Sequence, residues 1–138
     1  MPTIQSTQRP SISPGSSVPV RRAAALLLVA TGLLHLAIVG EYFDAAAYLG
    51  VLFVAGAGLG FFAAYVLWRE DDRRAWGLGV VITAGMFVGY LLSRTVGLPA
   101  FHEEEWEVSG TISLLLEGGF LLAAAAAVLP ARRRRPPS

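Results

Sequence analysis

At 138 residues the chain has the length of one ordinary domain, yet 54% of it is hydrophobic and only 15% charged, more apolar surface than a soluble fold of this size can hide. Eleven arginines without a single lysine face ten acidic residues for a net charge of +1. Cysteine is absent, which excludes a disulfide framework, a thiolate metal site and a cysteine nucleophile.

The apolar residues fall into four long runs separated by short charged segments, where a soluble helix would show a stripe, and this pattern predicts a bilayer as solvent. Residues 1–20 are rich in Ser, Pro, Thr and Gln and read as a disordered cytoplasmic tail. The first run covers about 23–42, which at 1.5 Å per residue is enough to span roughly 30 Å of hydrocarbon. It is longer than the roughly 7–15 apolar residues of a cleaved signal peptide, the competing reading that Ala45, Ala46 and Ala47 bring up. The second run, about 45–68, carries Gly56, Gly60 and Ala64 at intervals of four on one face, a ridge for close packing within the chain or, alternatively, for a homodimer seam. The third covers about 75–98, with Pro99 as its stop signal, and the fourth about 108–129, closed by Pro130. Short connections make consecutive helices antiparallel neighbours. The expected fold is therefore all-α, a polytopic membrane protein whose four-helix transmembrane domain occupies 21–130, followed by a basic cytoplasmic tail at 131–138.

Orientation follows from the arginines, which are retained on the cytoplasmic side of helix ends. Arg21 and Arg22 precede the first run, Arg69, Arg73 and Arg74 separate the second from the third, and Arg132–Arg135 follow the fourth. These sites share one side if every run spans. Glu41, Asp44, Glu103, Glu104, Glu105 and Glu107 lie on the other. The expectation is a multi-pass protein of the plasma membrane with both termini in the cytoplasm. Trp68, Trp76 and Trp106 fit interfacial anchoring. The C-terminal arginine tract reads as a topology anchor that meets anionic headgroups, and four arginines beside a span do not make a nucleic-acid site.

Three ionisable residues fall inside predicted spans: His35, Arg94 and Glu117. Ionisable groups are expensive in hydrocarbon and call for a bundle-facing position with a partner. Counting from the helix ends places them very roughly 10, 6 and 13 Å below the acidic surface, all in the same half. Helical spacing puts Ser113 and Gly110 on the face of Glu117, Tyr90, Thr83 and Gly79 on that of Arg94, and Thr31 and Tyr42 near that of His35. The expectation is a polar cluster of His35, Arg94, Glu117, Tyr90 and Ser113, with an ion pair between Arg94 and Glu117, serving either as a structural network or as a ligand or proton site. A second lead is the loop at 101–107, where His102, Glu103, Glu104 and Glu105 could hold a divalent cation, although without a recurring zinc spacing a solvated or lid-like loop is the plainer reading. No phosphate loop, catalytic triad or di-iron pattern occurs. Haem held by His35 wants a second axial ligand, and His102 is the one other histidine.

The segment Tyr90-Leu91-Leu92-Ser93-Arg94-Thr95-Val96-Gly97-Leu98-Pro99, followed by Trp106-Glu107, Gly110 and Glu117, resembles small four-helix integral membrane proteins of high-GC, actinobacterial-type bacteria. The likeness covers the second half well and the first half only through His35, Glu41 and Tyr42. It implies the four-helix fold and brings no activity, substrate or cofactor. The leading expectation is a non-enzymatic membrane protein binding a small ligand or partner in a polar cavity under the acidic loop. The alternatives are an accessory subunit of a larger membrane complex and a haem- or metal-handling protein.

Overall fold

The computed structural model describes residues 16–129; most of the expected N-terminal tail and the Arg132–Arg135 tract lie outside the described residues. Four helices follow one another, α1 at Val18–Ala45, α2 at Ala47–Arg69, α3 at Arg73–Thr95 and α4 at Val108–Val128. All four are long and apolar enough to cross a membrane. Helix α1 starts five residues before the expected position because Pro19 stands in its first turn, where a missing N–H leaves no intrahelical bond unmade. Helix α3 ends three residues short of the expected 98. Gly97 takes a left-handed φ of 82° and returns its N–H to the Leu92 carbonyl at 2.9 Å, so a glycine cap stops the helix before Pro99 is reached.

Each helix packs on its neighbours in sequence and α4 closes on α1, with α1 against α2 the most extensive contact. At the arginine end the interior is dense. Ala24, Ala25 and Leu28 of α1, Ala63, Ala64 and Leu67 of α2, Ala75 and Trp76 of α3, and Phe120 and Ala124 of α4 form one buried cluster. Small residues let the backbones approach: a Cβ added at Gly60 would stand 4.0 Å from the Leu28 carbonyl oxygen, and one at Gly79 would collide with the Phe120 ring. The ridge foreseen on α2 divides between partners, since Gly60 faces α1 whereas Gly56 faces Met86 of α3.

The α2–α3 connection binds the start of α1. The Asp71 carboxylate accepts from the Ser16 N–H at 2.7 Å, from the Ser16 hydroxyl at 2.8 Å and from the Trp76 indole at 2.8 Å, while Asp72 caps α3 through the N–H groups of Arg74 and Ala75. Partial burial pushes the Asp71 carboxyl up, but the bonds from Trp76 and Ser16 and the charge of Arg21 together outweigh it and hold the group below its ordinary 3.8. A depressed carboxylate contributes stability above its unfolded value and loses that contribution as pH falls through its folded value. Asp71→Asn is therefore expected to lower thermal stability near neutrality and to lose less of it on acidification from about pH 6 to about pH 3 than the wild type does. Parallel acid profiles of the two unfolding temperatures would contradict this.

Candidate functional site

The acidic end of the bundle is built differently. His35 projects from α1 into the interior, 4% exposed. Its Nδ1 lies 2.8 Å from the Thr31 carbonyl oxygen; a carbonyl only accepts, so Nδ1 carries the hydrogen and Nε2 is the free face of the ring. That face looks at Glu117 Oε1 of α4 across 3.8 Å. Ser113, one turn earlier on α4, donates its hydroxyl to the same oxygen at 2.7 Å. Glu117 is 1% exposed and its Oε2 meets no hydrogen-bond partner. Phe53 from α2 meets the His35 ring in a T-shaped arrangement at 4.6 Å between centroids, and Tyr42 packs on Phe53 at 4.3 Å.

Arg94 does not pair with Glu117, and the expected ion pair is corrected here. Its Nη2 stands 3.0 Å from Glu103 Oε2, its Nε donates to the Glu105 carbonyl at 3.0 Å and its Nη1 to the Ser93 hydroxyl at 3.1 Å. The guanidinium lies 3.7 Å over the Tyr90 ring. The cause is position: Arg94 stands in the last turn of α3, so its long stem carries the charge outward to the loop, whereas Glu117 lies deeper. One expected cluster has become two. His35, Glu117 and Ser113 form an inner set, and Arg94, Tyr90 and Glu103 form a set at the rim.

The rim set fastens residues 96–107 over the end of the bundle. Leu98 and Phe101 exchange two backbone hydrogen bonds of 2.7 and 2.9 Å around Pro99 and Ala100. The Tyr48 hydroxyl of α2 donates to the Pro99 carbonyl at 2.8 Å, the Glu103 N–H donates to the Ser93 carbonyl at 3.0 Å, and Phe101 packs on Tyr42. Burial of the Glu103 carboxyl raises it above its ordinary range despite the Arg94 charge, so Arg94 offsets only part of the cost of covering that group.

Beneath this lid lies a cavity of about 480 Å³ between α2 and α3. His35 and Glu117 stand on its inner side, Tyr42, Phe53 and Phe101 near the lid, and aliphatic side chains further in. Exposed Leu52, Leu59 and Val81 mark its mouth on the flank of the bundle. A Cβ added at Gly85 or Gly89, both in the wall, would meet nothing within 4 Å. Tyr90 also lines the space, and its hydroxyl has no partner.

The loop residues considered as metal ligands are not gathered. His102, Glu104 and Glu105 are exposed and Glu103 is engaged by Arg94; among the described residues no three His, Asp or Glu side chains converge as a ligand set. Nor does the fold join the two histidines, since His102 lies beside Gly97 in the lid while His35 faces Glu117. Phe53, Tyr48 and the open glycines escaped sequence reasoning. The spacing of Gly85 and Gly89 by four was a usable signal, whereas nothing in the sequence marks Phe53 or the Tyr48–Pro99 bond. No protein family, curated protein or solved structure matches the chain.

Proposed function

We propose that this is a multi-pass membrane protein, its arginine-flanked end in the cytoplasm, whose cavity in the outer half binds a small and mainly apolar molecule admitted from the bilayer between α2 and α3. The observation that carries the reading is the cavity itself. Its volume of about 480 Å³ falls within the range of small-molecule sites, and apolar walls with a few convergent polar groups are what such sites have in common. The arginines of the α2–α3 connection and of the start of α1 support the orientation. The mouth opens on apolar helix flanks, which favours a ligand already dissolved in lipid.

Gly89→Leu tests the reading because it places a side chain into empty space. Binding of dodecanol, followed by native mass spectrometry from maltoside micelles, is expected to weaken about tenfold or more, equivalent to about 1.4 kcal/mol, with the unfolding temperature unchanged or raised. If dodecanol binds the variant as well as it binds the wild type, the cavity is not the site, and a protein partner on the lipid-facing flanks becomes the better reading.

A further inference from the structure

We propose that the natural occupant is a lipophilic cation, an apolar amine whose protonated head rests on Glu117; this rests on the cavity reading above and names its ligand class. Glu117 has one oxygen held by Ser113 and the other unpartnered, in a side chain that is shut off from bulk solvent and stands in the cavity wall. A carboxylate so placed is compensated by a proton or by a cation. The groups around it do not supply a fixed cation. From α1 comes His35, at 3.8 Å beyond hydrogen-bond length, and Tyr42, a neutral phenol. From α3 comes Tyr90, while Arg94 is spent on Glu103, the Glu105 carbonyl and Ser93. Helix α2 contributes Tyr48, which is bonded to Pro99, and the lid contributes Glu103, an acid.

The walls suit the same chemistry. Tyr42, Phe53 and Phe101 line the cavity on the lid side, and aromatic faces attract a desolvated ammonium. Leu52, Leu59 and Val81 line the same cavity and are exposed on the helix flanks, offering aliphatic surface for a chain. A neutral alcohol would use the same aliphatic surface but would leave Glu117 to be compensated by its own proton, whereas an amine takes up that proton and returns it as a charge-assisted hydrogen bond.

The test compares dodecyldimethylamine with dodecanol, equal in chain length, each titrated into the full chain in maltoside micelles and corrected for partition into protein-free micelles. The amine is expected to bind the wild type about tenfold or more tightly than the alcohol, as a charge-assisted hydrogen bond in a dry site implies. Glu117→Gln is expected to abolish that preference by lowering amine affinity about tenfold or more, to the level of dodecanol on the same variant. Equal affinity of the two ligands for the wild type, or a preference that survives Glu117→Gln, overturns the cation inference while the cavity reading stands. Failure of both ligands to bind the wild type overturns both. Should Glu117→Gln not accumulate, Glu117→Ala with the same two ligands replaces it, and equal affinity of the wild type for amine and alcohol overturns the inference without any variant.

Discussion

Arg94→Ala is expected to release residues 96–107 from the bundle and to cost roughly 2–3 kcal/mol of stability, less than the ~3–5 of a fully buried pair that loses one partner. The discount reflects Glu103, whose side chain keeps 21% of its exposure while that of Arg94 keeps 2%, so the acid left behind recovers some water. The loss is distributed over four contacts. Glu103 loses its counter-ion, the Glu105 carbonyl and Ser93 hydroxyl lose a donor, and the Tyr90 ring loses the cation on its face. Amide exchange through 96–107 is expected to accelerate while exchange in the arginine-end core stays slow. Arg94→Lys should recover only part of the protection, because an ammonium restores the charge without the planar fork that donates to Glu105 and Ser93 while facing Glu103. Unchanged exchange in 96–107 would mean that the Tyr48–Pro99 bond and the Leu98–Phe101 pairing hold the lid by themselves.

Phe120→Ala should be the most damaging single truncation at the opposite end. The ring is fully buried, packs 5.8 Å from the Trp76 ring and occupies the room that Gly79 leaves on α3. Removing such a side chain leaves a void that surrounding alanines cannot fill, and in the membrane setting proposed above, where the water-driven part is small and the packing part remains, we expect a loss of roughly 2–4 kcal/mol, somewhat below the ~3–5 seen for Phe→Ala in water-soluble cores. Dodecanol binding measured well below the lowered unfolding temperature should survive, since the ring is not in the cavity wall. A loss below about 1 kcal/mol, the ordinary size for an unremarkable substitution, would show that the dense end is not what holds the helices together.

The four helices were legible because each apolar run carries its own signal in length and composition, independent of what it touches. Helix ends were less so. Pro99 was the conspicuous breaker after α3, yet a left-handed Gly97 acts first, and a composition rich in Ser and Pro hid the start of α1 behind Pro19. Within the site, the pairing of Ser113 with Glu117 followed from their spacing on one helix, which fixes geometry locally. The partner of Arg94 did not, because it depends on how an irregular loop folds back, and no periodicity encodes that. The cavity was least legible of all. Empty space arises where the side chains of facing helices leave room between them, and this is a property of the packed bundle that no single run of sequence contains.

Only Ala46 separates α1 from α2, and the two helices share the broadest contact in the bundle, while α3 meets both α2 and α4 over much narrower ones. Such an arrangement sets an order of assembly. A helix pair joined by one residue has little loop entropy to lose on closing, so α1 and α2 are expected to pair first, with α3 held to that pair by the narrower contacts it makes with α2 and α4. A guest entering between α2 and α3, as proposed above, would therefore leave the α1–α2 pair intact.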